Sequence, residues 1–436
     1  MDDEKKSNEI KKDKDLIHGK IEEGKSSSTS NRKKSNQQND EIIDAETSSD
    51  INIDKKKNIS IIKTKETNFS FDVQLSKILP VGLRNLGSTC FMNSCLQCFF
   101  HCASFTKELL LNNTYYEQIN GEIISAFLKV AKNLYTNGKF PVDQKYKKFY
   151  DYSKYYYENE TISTSAQEFF TYILNNFPRA YQNGSDPKMV AEIILLKMEN
   201  ELYPDLKYIP SINIPKTNEI QLFKDIYGFY QSLNKNIIIS NFYWIKEREC
   251  ICSECNKSTY NFQFNYIHYF YPEKILKSQN YYKYRKINLS IEACFEYFKE
   301  SDQDMTSFAC KVCNKRVKPK SVINYMVTLP NYIVFCLFTD KNNLNTINYK
   351  FTYGKDIEMS YYFKDIKGNN KTCTKYKFQG GCYSTMNYKH SFAFSYHFDG
   401  FLYEFNDEYY RKVNSFEELY KEIPYLLIYR RADIDI

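Results

Sequence analysis

Two short cysteine knuckles separated by a long insert, Cys252-Ser253-Glu254-Cys255 and Cys310-Lys311-Val312-Cys313, constrain this chain more than any other feature. Four thiolates at that spacing suit one tetrahedral zinc ion, which ties two distant segments of the chain to one point. A structural zinc closes its coordination shell, so this site is expected to hold a hairpin tip and to take no part in chemistry. Cys250 lies close enough to compete for a ligand position, but Cys252 keeps the two-residue spacing and is preferred. The chain has 13 cysteines in all, and most cysteines are small buried hydrophobes.

One other cysteine stands apart. Residues 82–97, Gly-Leu-Arg-Asn-Leu-Gly-Ser-Thr-Cys-Phe-Met-Asn-Ser-Cys-Leu-Gln, place Cys90 behind a polar, turn-prone lead-in. After it, Met92, Cys95, Leu96, Phe99 and Phe100 recur at helical spacing, and Ser88 and Thr89 are the expected capping hydroxyls. The pattern predicts a helix that starts at Cys90, with the thiol at the positive end of the helix dipole. Unpaired N–H groups there favour thiolate over thiol and point at any oxyanion that forms on an attacked carbonyl.

The segment closely resembles the cysteine box of the ubiquitin-specific proteases, papain-like thiol enzymes that cut ubiquitin from its conjugates. The resemblance implies that Cys90 is the nucleophile and that Asn85, five residues before it, helps bind the oxyanion. The knuckles are similar to the zinc ribbon at the tip of that family's fingers subdomain, which implies structural Zn2+ on Cys252, Cys255, Cys310 and Cys313.

A thiolate needs a base, and the chain has five histidines. His18 lies in a polar tail, His101 continues the Cys90 helix as a packing residue, and His268 falls in an aromatic strand-like run, Phe264 to Tyr271. His390 and His397 remain, in one alternating run whose opposite parities send them to opposite faces, so only one can share a face with the site. The following segment, Phe401 to Asp407, resembles the family's second histidine-box strand ending in Phe-Asn-Asp. That resemblance makes His390 the general base and Asn406 the residue that holds its ring, with Asp407 as assistant or substitute. His397 is then a loop residue. A two-residue turn at Asp399-Gly400 would leave Asn406 opposite Ala393, about 10 Å along the strand from His390. The functional reading needs a loop of about five residues, Tyr396 to Gly400.

Ser165-Ala166-Gln167-Glu168-Phe169-Phe170 is similar to the family's Asp-Ala-Gln-Glu-Phe segment, which lines the groove for ubiquitin's C-terminal tail. That tail carries arginines, so Gln167 and Glu168 are candidate substrate contacts, with Ser165 where the family has an acid. A capped helix start with Glu168 near its positive end is compatible with the same residues. Val327 to Phe338, Tyr376 to Cys382 and Pro424 to Tyr429 are apolar runs that look like buried palm strands. The matches run in the family's order from about residue 80 to 431. The chain departs from the pattern at Lys389 (usually Gly), Ser391 (usually Tyr) and Ser384 (near a family His), and 183–240 carries no match.

Composition agrees with these bounds. A chain of 436 residues, 42% hydrophobic, can bury a substantial core. Residues 1–76 are dense in Lys, Asp, Glu, Ser and Asn and are expected to form a disordered tail before a catalytic domain over 77–433. The net charge of +7 is spread without a stripe, so no nucleic-acid partner is expected. No apolar run approaches membrane-spanning length, and the N-terminus is charged where a signal peptide is apolar. The expected compartment is cytoplasmic or nuclear, where thirteen cysteines stay reduced. The fold implied by the resemblance is an α+β papain-like hand: a thumb over about 80–190, fingers over about 240–325 tipped by zinc, and a β palm for the remainder. The implied activity is thiol-dependent hydrolysis of the isopeptide bond after ubiquitin's C-terminal glycine. The alternatives are an inactive ubiquitin-binding scaffold, or a protease for a ubiquitin-like modifier.

Overall fold

The computed structural model describes residues 79–136, 163–178, 187–202, 219–232, 236–278, 287–300, 305–337, 349–366, 368, 372–385 and 390–435. The tail expected over 1–76, Lys389 and parts of the unmatched region 183–240 lie outside them. Among the described residues no helix is long and apolar enough to cross a membrane.

The run that follows the polar lead-in forms helix α1, Cys90–Phe100, and every one of its residues is buried. A helix apolar on nearly every side must be covered on every side. Helices α2 (Ala103–Leu111), α3 (Glu122–Thr136) and α4 (Gln167–Asn176) pack in succession from one end of α1. Two-residue strands β1 (Gly82–Leu83) and β2 (Ser163–Thr164) pair in parallel, which brings the lead-in of α4 beside the lead-in of α1. Two polar residues of α1, Asn93 and Gln97, lie four positions apart. Asn93 Nδ2 donates to Leu83 O at 3.2 Å and Gln97 Nε2 to Val81 O at 2.8 Å, so this pair laces the helix to the chain that precedes it.

Strands β3 (Trp244–Cys252) and β4 (Ser258–Asn265) form an antiparallel hairpin. The chain passes through β5 (Ile267–Phe270) and returns as β6 (Pro319–Met326), which completes a three-stranded sheet on the other side of β3. Strands β7 (Tyr332–Leu337), β8 (Lys375–Ser384), β9 (Ser391–Tyr396), β10 (Leu402–Asn406), β11 (Tyr409–Lys412) and β12 (Ile423–Arg431) build the larger sheet in the order β11-β10-β9-β8-β12-β7-β5. The three runs expected as buried strands lie in or across β7, β8 and β12. β7 is buried at every position, which explains its continuous apolar sequence. One face of this sheet covers α1 through β8, β9 and β10.

The hairpin between β10 and β11 turns on two residues, Asp407 and Glu408, with Asp407 at φ 52°. A two-residue hairpin needs a positive φ, and Asp is among the few side chains that tolerate it. This turn docks on β1: Leu83 N–H donates to Asp407 O at 2.8 Å. A Cβ on Gly82 would stand 2.3 Å from Glu408 O, so only glycine fits there. Gly82→Ala is therefore expected to lower stability by about 1–3 kcal/mol. Denaturant midpoints of the two proteins check this.

Candidate functional site

Cys90 is the first residue of α1, and its lead-in is a loop in left-handed backbone, Gly87 at φ 102° and Ser88 at φ 58°. The sequence suggests that Ser88 and Thr89 cap the helix, but Thr89 makes no side-chain cap bond. Its hydroxyl turns back into the loop and accepts from Leu86 N–H at 2.9 Å. The first-turn N–H groups of α1 are consequently left without a side-chain cap, beside the Cys90 sulfur. The Asn85 amide fixes the loop from within: its Oδ1 accepts from Gly87 N–H at 3.0 Å and Thr89 N–H at 3.2 Å.

His390 lies just before β9, and its carbonyl is pinned by Thr385 N–H at 3.1 Å and by the Ser384 hydroxyl at 3.2 Å. Its Nε2 contacts Asn406 Oδ1 at 2.6 Å, and its ring also hydrogen-bonds Cys90, which leaves Nδ1 as the nitrogen for the sulfur. Burial alone would lower the pKa of this imidazole. The hydrogen bond to Cys90, the charges of Asp407 and Cys90, and Asn406 outweigh it and hold the pKa up to about 9.

The route by which His390 reaches Asn406 differs from the expected one. Ala393 pairs with Phe405 and Tyr396 with Leu402, so five residues, 397–401, connect the strands. The loop has the expected length but begins one residue later, and is narrowed by a bond from His397 N–H to Phe401 O at 2.9 Å. Continuing that register puts Asn406 across from Phe392, not from His390. The two meet as diagonal neighbours on one face, a spacing long polar side chains can span. A two-residue turn would shift the register by one and send Asn406 to the opposite face.

Asp407 is buried and sits behind this pair. Its Oδ2 accepts from Asn85 Nδ2 at 2.9 Å and its Oδ1 from Asn93 Nδ2 at 2.8 Å. Burial pushes its pKa up, while the charge of His390 and the two amides pull it down, to a net value of about 6. Glu408, also buried, accepts from Asn85 N–H at 3.4 Å. Neither Asn93 nor Glu408 stands out in the sequence. The available signal was the four-residue spacing of Asn93, Gln97 and His101 along a mostly apolar run.

Of the other four histidines, three are buried elsewhere in the fold and one lies outside the described residues. His268 is buried in β5 and stacked on Trp244 at 4.0 Å between ring centroids, and His397 is a buried loop residue whose ring lies 5.3 Å from that of His101. His18 falls in the undescribed tail. Gln167 and Glu168 open α4, with Gln167 N–H donating to Ser165 Oγ at 3.2 Å. Glu168 is paired to Lys129 of α3 at 2.5 Å, a partner the sequence did not suggest.

The four knuckle cysteines converge, with all sulfurs within 4.8 Å of one another. Cys252 Sγ to Cys313 Sγ is 3.8 Å and Cys255 Sγ to Cys310 Sγ is 3.7 Å. Four sulfurs about 2.3 Å from one tetrahedral ion would be about 3.8 Å apart, so the set fits a metal. The two knuckles are built alike. Cys252 N–H donates to Lys257 O and Cys310 N–H to Lys315 O, and each turn passes through a left-handed asparagine, Asn256 or Asn314. Cys250 is not in the cluster.

A family model described as ubiquitin carboxyl-terminal hydrolase matches residues 81–429. The chain is 38% identical over 66 residues to probable ubiquitin carboxyl-terminal hydrolase 4 of Schizosaccharomyces pombe, covering 13% of this chain and 11% of that one. It is 24% identical over 195 residues to ubiquitin carboxyl-terminal hydrolase 4 of Pongo abelii, 42% of this chain and 18% of that one. The chain thus spans less than a fifth of the length of these curated relatives. Among solved structures it resembles the SAGA DUB module of Ubp8, Sgf11, Sus1 and Sgf73 bound to monoubiquitin, with TM-score 0.55 and 18% identity over 83% of this chain and 71% of that one. The same module bound to ubiquitin aldehyde gives TM-score 0.54 and 19% identity over 81% and 70%. These likenesses establish a shared α+β fold.

Proposed function

Because the chain belongs to the ubiquitin carboxyl-terminal hydrolase family, we propose that it is a cysteine-type deubiquitinase that hydrolyses the isopeptide bond after ubiquitin's C-terminal glycine. The observation that carries this reading is the position of His390, bonded to Asn406 on one ring nitrogen and to Cys90 on the other. A scaffold has no physical need for that arrangement.

In the proposed reaction His390 holds the proton taken from Cys90, and the sulfur attacks the glycine carbonyl. Asn85 and the uncapped N–H groups of α1 receive the oxyanion. The imidazolium then protonates the departing lysine amine as the C–N bond breaks, leaving a thioester on Cys90. Water, deprotonated by His390, attacks the thioester and releases ubiquitin's carboxylate and the thiol. Asn406 keeps the ring oriented through both steps. Gln167 and Glu168 line the approach of ubiquitin's tail, where Glu168 exchanges Lys129 for a substrate cation. Zinc on Cys252, Cys255, Cys310 and Cys313 would hold the two knuckles together and stay outside the chemistry.

Ubiquitin carrying a C-terminal thiol-reactive warhead tests the reading. The wild-type protein is expected to become covalently labelled, and Cys90→Ala to remain unlabelled while still binding ubiquitin. Absence of labelling in folded wild type that binds ubiquitin would establish the scaffold, and absence of both would point to another modifier.

A further inference from the structure

Asn93 lies one turn beyond Cys90 and is buried, yet none of the proposed chemical steps uses it. Its Nδ2 reaches three acceptors, Leu83 O at 3.2 Å, Arg84 O at 3.1 Å and Asp407 Oδ1 at 2.8 Å. The two oxygens of Asp407 are shared between two asparagine amides, Oδ1 on Asn93 and Oδ2 on Asn85. The Asn85 amide is held at both ends as a result: its oxygen by Gly87 and Thr89 N–H, and its nitrogen by Asp407. A charged acceptor behind an amide also strengthens what the amide can donate in front.

We propose that Asn93 is a positioning residue for the oxyanion-binding amide. It fixes the carboxylate of Asp407, and that carboxylate fixes and polarises Asn85. The inference rests on the deubiquitinase reading. Without Asn93 the Asp407 carboxylate loses one of its two amide donors in a buried site, where an under-bonded charge turns or takes up a proton. Asn85 then loses its fixed orientation, and pre-set orientation is what gives an oxyanion donor its effect.

The competing account is a tether. Asn93 also holds the carbonyls of Leu83 and Arg84, and a slack tether would misplace Cys90 itself. Two ubiquitin probes separate these accounts. Hydrolysis of a ubiquitin C-terminal amide passes through an oxyanion, whereas alkylation by ubiquitin with a C-terminal alkyne forms a thioether with no carbonyl attacked. Asn93→Ala is expected to lower kcat for hydrolysis about 10- to 100-fold with KM unchanged, and to leave the alkylation rate within about threefold of wild type. Asn93→Leu, of similar volume, is expected to give the same split if the alanine variant folds poorly. Asn85→Ala should cost about 10²- to 10³-fold, and Asn85→Ala/Asn93→Ala should cost no more than Asn85→Ala alone. Equal slowing of both probes, or a double variant at the product of the two single losses, would overturn the proposal. Failure of wild type to react with alkyne-ubiquitin would instead remove the deubiquitinase reading beneath it.

Discussion

Hydrolysis of a ubiquitin C-terminal amide is expected to decline as pH rises through about 9, the value to which the His390 imidazole is held. The sign follows from the step that needs the proton. In the proposed reaction His390 must be charged to protonate the departing amine, and its folded pKa lies above the ordinary value of 6.5. The imidazolium therefore persists through neutral pH and is lost only on the alkaline side. The same shift makes a contribution to stability that is complete below pH 6.5 and disappears as pH approaches 9. His390→Ala is expected to reduce kcat/KM about 10³- to 10⁴-fold or more and to remove the alkaline limb from what activity remains. The variant's melting temperature should also lose the wild type's downward slope between those pH values. Rate and thermal-melting profiles from pH 5 to 10 on both proteins check both halves. An alkaline limb that survives in His390→Ala would assign that proton to another group.

Removing the metal from the knuckles is expected to have the largest effect on stability. Structural zinc on cysteine sites carries an apparent binding free energy of about 10–16 kcal/mol in small peptides near neutral pH. Among the described residues, the second knuckle rests on a two-residue ladder, Phe308–Ala309 paired with Arg316–Val317, and the first lies at the end of β3. So short a ladder cannot hold itself together without a cross-link. Cys255→Ser/Cys310→Ser is expected to bind no zinc where wild type binds one ion per chain. Amide exchange in 250–256 and 308–317 should become fast, while α1 stays protected. Metal content and exchange rates measured on the same samples decide the matter, and unchanged protection at the knuckles in the variant would contradict a structural metal.

The sequence made some of this site legible and hid the rest for physical reasons. The Cys90 helix and the two knuckles could be read because their determinants are local: apolar spacing after a turn, and two-residue steps between thiols. The His390–Asn406 pairing depended on a β register, and register is set by loop geometry that the Asp399-Gly400 sequence leaves ambiguous. The loop came out five residues long yet one position later, so the side chains meet diagonally. Thr89 was expected to cap α1 because a threonine before a helix usually does, but the loop's own N–H of Leu86 claimed its hydroxyl. Asn93 was overlooked because its decisive partner, Asp407, is 314 residues away. Glu168 carried a similar blind spot, since its ion pair with Lys129 arises only when α3 and α4 pack together.

The enclosure of α1 on every side sets where this protein can move. Beyond its uncapped first turn, a helix with all of its residues buried is expected to exchange its amide hydrogens slowly. The thiol is thus mounted on a fully enclosed helix, and the left-handed Gly87-Ser88 segment stands in front of it. Adaptation there is a matter of a few dihedral angles on nanosecond-to-microsecond timescales. Selectivity for conjugates should therefore register in how that short segment orders, while the nucleophile itself stays fixed.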